Sequence, residues 1–497
     1  MVKRPLQLFP LLSPCYNDCI MISAHSLAKN FTIQTVGKVF SILIGLATVA
    51  ILTRALGTEQ FGEYTTVATF LQFFGILVDF GLTLTLLVMI SEKGANEEQV
   101  AGNFLGLRLV SGFLLFALAP IIVLAFPYSS TIKQAVLFGA FAYFLMGGAS
   151  LLVGVFQKHE AIWRAALAEL INRFVLLVTI AILAWLNFGV VAFTAAAILA
   201  NAIWFLVMIR FARPFVHIRP RFEIETWKKI FLHSWPIAVS IIFNLMYLKG
   251  DILLLSLFRS QTEVGLYGVA YRVIDILTVI PTMFMGLLLP SLTLAWTNGD
   301  HEQFRSRLSR TFDLFMVFVI PVIAGAQILG VQLIELIAGQ GYEQGGAVLK
   351  VLILALFGVF VGTLFGHLVV ALNKQRAMIL GYAATAAVTL AGYLYVIPRF
   401  GMYGAAWMTV FSEALIAIIT FIVVFRTSGA LPHLRVFLKA LFAALIMSSF
   451  LLLRPSVHVA LDILFGALVY FAVMVLIRGI RIEDVKLMLP GRFKKSV

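Results

Sequence analysis

Fourteen apolar stretches separated by short polar connections make up most of the chain. They fall at about 32–53, 62–90, 104–126, 134–156, 163–186, 189–209, 233–257, 264–296, 311–337, 346–372, 377–397, 402–425, 436–453 and 459–477. A helix needs about 20 mostly apolar residues to cross the hydrocarbon core of a bilayer. The pattern therefore predicts an all-α polytopic membrane protein of about 14 transmembrane helices. The stretches 62–90 and 264–296 are long enough to tilt or bend. The longest connection, Arg210–Lys229, leaves no room for a soluble catalytic domain.

Composition agrees with that pattern. Of 497 residues, 61% are hydrophobic and 12% charged, whereas soluble domains carry about a quarter charged residues. The formal net charge of +14 would suggest nucleic acid, but its placement argues for topology instead. With the N-terminus inside, twenty-six of the 37 basic residues fall in inner segments and five in outer loops: Arg54, Lys133, Arg259, Arg399 and Arg454. Cytoplasmic loops of membrane proteins carry such an excess. It predicts a multi-pass protein of the inner, cytoplasmic membrane with both termini cytoplasmic. Cys15 and Cys19 make neither a disulfide framework nor a metal site with histidine partners. Residues 1–28 read as an uncleaved cytoplasmic extension.

Charges inside the apolar stretches carry the candidate chemistry. Ser240, Asn244, Tyr247 and Asp251 stand at i, i+4, i+7 and i+11, on one helical face. Gln34, Lys38, Ser41 and Gly45 repeat that spacing on the first stretch. Lys249, Arg272 and Asp275 lie close by in sequence. A charge at the bilayer centre costs about 2.5–3.5 kcal/mol or more, so such residues face a bundle interior or a wet cavity. These stripes are read as walls of a polar path.

Two internal echoes organise the chain. Arg54, Thr58-Glu59, Gly62 and Tyr64 are answered by Arg259, Thr262-Glu263, Gly265 and Tyr267. Phe156-Gln157-Lys158 and Gly189-Val-Val-Ala are answered by Asn373-Lys374-Gln375 and Gly401-Met-Tyr-Gly-Ala-Ala. Six spans separate the copies, which predicts two six-helix lobes related by a pseudo-twofold along the membrane normal. The expected division is an N-lobe at 29–210, a basic linker at 211–230, a C-lobe at 231–427, two further helices at 428–478 and a basic tail at 479–497.

At these residues the sequence resembles the polysaccharide transporter family, the O-antigen-flippase-like branch of the multidrug/oligosaccharidyl-lipid/polysaccharide exporter superfamily. Thr53-Arg54-Ala-Leu-Gly57-Thr-Glu-Gln-Phe-Gly62-Glu-Tyr64 is similar to that family's opening signature. Gly250-Asp251 with Glu263-Val-Gly265-Leu-Tyr267-Gly-Val-Ala-Tyr271-Arg272 is similar to its second-half signature. Pro398-Arg-Phe-Gly401-Met-Tyr-Gly404-Ala-Ala is similar to its eleventh-to-twelfth connection. The resemblance covers about residues 28–480. It implies a twelve-helix core with two added helices. It also implies outward movement of undecaprenyl-pyrophosphate-linked or similar lipid-linked sugars, with several relatives coupled to an ion gradient.

A lipid pyrophosphate needs cationic partners in a wet cleft. Lys38, Lys249 and Arg272, with Gln34 and Asn244, are the expected substrate-binding residues. Asp79, Asp251, Asp275 and Glu413 are candidate proton or sodium sites, and no other cofactor or metal is expected. The competing reading is structural: the cations neutralise Asp79, Asp251 and Asp275, Arg272 pairs with Asp275 within one helix, and Glu169 pairs with Arg173. Expected partners are lipid-linked saccharide, membrane lipids and, as candidates, polysaccharide-assembly proteins, with no nucleic acid.

Two other functions were weighed. A drug/cation antiporter of the same superfamily would favour an acidic, aromatic pocket over six basic groups at membrane depth. A membrane glycosyltransferase or polymerase needs acidic catalytic groups on a sizeable outer loop. This chain has no Asp-x-Asp, so it is not expected to be an enzyme.

Overall fold

The computed structural model describes residues 24–92, 94–216, 219–454 and 458–480, with side chains described throughout these except at 24–36, 84, 236–248 and 376. Among the described residues the fold is α-helical with no strand. The first half holds α1 (Ala24–Asp79), α2 (Leu82–Ile90), α3 (Glu97–Ile122), α4 (Ser130–Leu151), α5 (Val153–Lys158), α6 (Ile162–Trp185) and α7 (Val190–Ala212). The second half holds α8 (Ile224–Phe258), α9 (Gln261–Thr297), α10 (His301–Ala338), α11 (Glu343–Leu352), α12 (Ala355–Ala371) and α13 (Gln375–Ser428). Two more helices follow, α14 (Arg435–Leu453) and α15 (Val459–Leu476).

Among the described residues, 11 helical stretches are long and apolar enough to cross a membrane. The chain is a multi-pass membrane protein. Two of these stretches, Gly37–Asp79 and Ala377–Ser428, are 43 and 52 residues long, and each holds the greater part of two of the apolar segments read from sequence. Their breaks are Gly57 (φ 68°) and Gly401 (φ 56°), whose backbone lies where side chains with a Cβ are strained. Three predicted segments are less continuous than their hydropathy. The 62–90 segment breaks at Phe80 and Gly81, both at positive φ. The 134–156 segment divides into α4 and α5, and 346–372 into α11 and α12.

Local sequence sets where helices begin. The side chains of Asn96, Ser129, Ser260 and Asp300 accept hydrogen bonds from the backbone N–H three residues on, which starts α3, α4, α9 and α10. At α9 the same turn is tied to α13: Glu263 accepts from Arg259 Nε at 2.9 Å and from the backbone N–H of Met402 at 3.0 Å. The reversal at Gly401 is thus fixed against the start of α9.

The linker returns to the first half before α8 enters the second. Arg221 N–H donates to Gly102 O at 2.9 Å, and Glu223 N–H to Asn103 Oδ1 at 3.0 Å. Trp227 Nε1 donates to Asn103 O at 3.1 Å, and Ser234 to Thr85 at 3.0 Å. Hydrogen bonds from Gln99 and Thr226 hold the Glu223 carboxyl below the usual range, so it stays ionised at this junction. The start of α8 is therefore anchored on α2 and α3.

Candidate functional site

The two halves meet most tightly at one end, where the echoed motifs cross. A Cβ added at Gly62 would lie 1.7 Å from Gln261 O, and one added at Gly265 would lie 2.0 Å from Thr58 O. Each glycine thus admits the backbone of the other motif, and no larger residue fits. Thr66 donates to Gln261 Oε1 at 2.7 Å, and Tyr128 and Ser256 share a hydrogen bond at 2.7 Å. Arg54 caps the C-terminal carbonyls of α10, donating to Ile337 O at 2.7 Å and Leu336 O at 2.8 Å. A cation at a helix C-terminus satisfies orphan carbonyls and complements the helix dipole. Tyr342 reaches Thr53 O at 3.3 Å. This end is closed.

At 1.5 Å per residue, Lys38 on α1 and Gly286 on α9 lie roughly 30 Å along their helices from that crossing. There the halves leave a cavity of about 440 Å³. Gly37, Lys38, Gln157, Glu169 and Trp204 line it from the first half, and Met283, Gly286 and Leu287 from the second. The Lys38 side chain is 37% exposed and stands 3.4 Å from Glu169, a loose pair. Ser41 donates to the same carboxylate at 3.0 Å, and Arg173 stands 3.7 Å from it. One carboxylate thus faces two cations, leaving the cluster net positive. Among the described residues Arg173 Nε is buried without an acceptor.

Arg272 stands on α9, outside the residues that line this cavity. It is half-buried, and among the described residues no carboxylate lies within ion-pair distance of it. Arg272 and Arg173, one from each half, are both within electrostatic reach of Tyr64. Arg272, Asp275, Thr282 and Gly286 share one face of α9.

The other expected site residues separate into different environments. Lys249 donates to Asp275 at 2.8 and 3.1 Å and lies 4.0 Å over the Tyr271 ring. Asp275 therefore pairs across helices with Lys249, in place of the intrahelical pair with Arg272. Asp79 is held at 2.9 Å by buried Arg108, which also donates to Gly147 O and Ser150. Thr83 donates to the same aspartate at 2.9 Å. The side chains of Gln34, Ser240, Asn244 and Tyr247 lie outside the described residues.

Asp251 and Glu413 form a second polar centre, within the second half. Asp251 is fully buried and accepts from Tyr267 at 2.6 Å, from Thr409 at 3.2 Å and from the Ile252 N–H at 2.7 Å. Tyr393 meets Thr409 at 3.2 Å, and Glu413, one turn further along α13, is 5% exposed. Among the described residues neither carboxylate has an ion-pair partner. Lys249 is within electrostatic reach of Asp251 but is bonded to Asp275, and a buried carboxylate without a bonded cation is costly unless it takes up a proton or a metal ion.

Sequence reasoning missed the convergence of Arg173 with Arg272, because the i, i+4 spacing from Glu169 explained Arg173 as a local pair. It also missed Trp204, Gln157 and Gly286, which lie far apart in sequence and carry no motif.

The chain is similar over 403 residues to a protein of Haloferax volcanii named as a low-salt glycan biosynthesis flippase, at 22% identity, covering 78% of this chain and 81% of that one. It is 24% identical over 394 residues to a Shigella flexneri protein named as an O-antigen transporter, covering 77% and 93%. Among solved structures, the lipid II flippase MurJ in an inward closed conformation has the same fold, with a TM-score of 0.74 at 12% identity, over 90% of this chain and 99% of that one. The family model for polysaccharide biosynthesis proteins matches residues 27–296, more than half of the chain. The chain belongs to the polysaccharide biosynthesis protein family.

Proposed function

We propose that this protein is a flippase that carries a polyprenyl-pyrophosphate-linked oligosaccharide from the cytoplasmic to the outer leaflet by alternating access. The observation that carries the reading is the cavity shared by both halves, with Lys38 in its wall and Arg173 and Arg272 beyond it. A pyrophosphate is a compact anion that needs charge-assisted donors once it leaves water. The two half-buried arginines have donors to offer, while Lys38 is only loosely held by Glu169. Lys249, held by Asp275, serves to position α8 against α9 until the headgroup competes for it. The similarity to proteins named as flippase and O-antigen transporter supports the same conclusion.

In this reading the end closed by Gly62 and Gly265 faces outward, and the Lys38 cavity opens to the cytoplasm. The placement of basic residues supports both termini on the cytoplasmic side of the inner membrane. The reciprocal contacts of the two glycine motifs support two lobes related by a pseudo-twofold along the membrane normal. Moving the lobes apart outside and together inside then transfers the headgroup, while its tail stays in lipid. The test is leaflet accessibility of lipid-linked sugar in cells depleted of the protein. The sugar is expected to remain on the cytoplasmic side; undiminished outward movement would refute the assignment.

Asp251 and Glu413 are proposed as the coupling site, taking up a proton or sodium ion as α8, α9 and α13 move. Asp79 and Asp275 are assigned to structural pairing. The expected outcome is that Asp251→Asn and Glu413→Gln each remove the dependence of transport on an imposed proton or sodium gradient in proteoliposomes, while Asp275→Asn retains it. Gradient dependence that survives both substitutions would exclude this site.

A further inference from the structure

Gly286 stands in the wall of the Lys38 cavity, and nothing in the fold requires glycine there. Among the described residues a Cβ added at 286 meets no atom within 4 Å, and the backbone is not in the positive-φ region. Gly62 and Gly265 differ, since each admits a neighbouring backbone. Glycine inside a helix is destabilising by roughly 0.5–1 kcal/mol relative to alanine. At 286 that loss brings no closer packing, only open volume in the cavity. Gly45, next on the α1 stripe above Lys38, likewise has nothing within 4 Å of its would-be Cβ.

The surrounding groups match a hydroxyl-rich ring. Gln157 offers an amide, Glu169 a carboxylate and Lys38 an ammonium, while the Trp204 indole supplies a flat apolar wall. A volume of about 440 Å³ lies in the range of small-ligand sites, which combine apolar walls with a few fixed polar groups. The net-positive cluster of Lys38, Arg173 and Glu169 stands at the same place, so a sugar here would be next to the pyrophosphate.

We propose that this cavity is the subsite for the first sugar of the lipid-linked glycan, and that Gly286 sets the size of the sugar it admits. The inference rests on the flippase reading and names the part of the substrate that the reading leaves unplaced. A side chain at 286 subtracts directly from the space for the ring, entering it from the second-half wall that Met283 and Leu287 also form.

The experiment is binding to the purified full-length protein, measured by native mass spectrometry. The two probes are undecaprenyl pyrophosphate and the same lipid bearing N-acetylglucosamine. Wild-type protein is expected to bind both. Gly286→Leu is expected to weaken the sugar-bearing lipid about tenfold more than it weakens the bare lipid. Gly286→Ala should fall between, and it carries the comparison should leucine lower the melting temperature. Trp204→Ala is expected to weaken the sugar-bearing lipid more than the bare lipid. Equal weakening of both lipids by the Gly286 variants, or no weakening of either, overturns the subsite. If wild-type protein binds neither lipid better than phosphatidylglycerol, the flippase reading itself falls, and the subsite with it.

Discussion

The Gly62→Leu variant is expected to lose closure at the crossing of the two glycine motifs and, with it, transport. The added Cβ alone would lie 1.7 Å from Gln261 O and 2.7 Å from its carbonyl carbon, and the atoms in the way are backbone. A flexible side chain could swing aside, whereas a helix start held by Ser260 and Glu263 cannot. Overpacking a rigid contact costs about 3 kcal/mol, which shifts a two-state equilibrium on the order of a hundredfold. The direction is away from the closed arrangement and toward separation at this end. Thr66 and Gln261 lie within hydrogen-bond distance across the same seam, so they report on it. With Cys15 and Cys19 replaced by serine, a Thr66→Cys/Gln261→Cys pair should oxidise readily to a disulfide in the otherwise unaltered protein. In the Gly62→Leu background the disulfide should be lost, and both thiols should react with a membrane-impermeant maleimide added outside. Gly265→Leu should behave in the same way from the other half. Retained disulfide formation in both variants would show that this crossing is not the outer closure.

Asp79→Ala is expected to be the most destabilising single change among the charged residues. Arg108 is 4% exposed, and Asp79 is its only carboxylate partner among the described residues. Removing one member of a buried pair leaves the other charge uncompensated, at about 3–5 kcal/mol. The remaining bonds of Arg108 to Gly147 O and Ser150 are neutral and cannot replace the charge. Thermal unfolding of detergent-purified protein should show a large fall for Asp79→Ala. Replacing both members by a matched pair of apolar residues should recover much of it. If Asp79→Ala instead leaves the melting temperature intact and removes gradient dependence, Asp79 belongs to the coupling site and the structural assignment is wrong.

How much of this was legible in the sequence depended on the range of the interaction. Helix positions follow from local hydropathy, so the apolar stretches were readable. Their interruptions at Phe80–Gly81 and between α11 and α12 were not, because the broken segments remain uniformly apolar. The reversals at Gly57 and Gly401 fell between segments, where a turn was already required. The echoed Gly62 and Gly265 motifs were visible as a repeat, but not their interlocking, which exists only once the fold brings together segments that lie six helices apart in sequence. Charges behaved similarly. Lys38 was singled out because its stripe is local, and its side chain lines the cavity between the halves. The partner of Lys249 was not foreseen, since Asp275 is 26 residues away on another helix and competed with a nearer candidate, Arg272. Asp251 and Glu413 were both suspected, yet their shared environment of Tyr267, Tyr393 and Thr409 depends on the packing of α8, α9 and α13.

The central claim is that cations from both halves carry an anionic lipid headgroup through one shared chamber. It is tested most directly in proteoliposomes, by measuring how fast lipid-linked sugar becomes accessible to an enzyme confined to the opposite side. Wild-type protein should support that movement, and the Lys38→Ala/Arg272→Ala double variant should reduce it to the protein-free rate while keeping the wild-type melting temperature. A double variant that moves the lipid as fast as wild type would contradict the account.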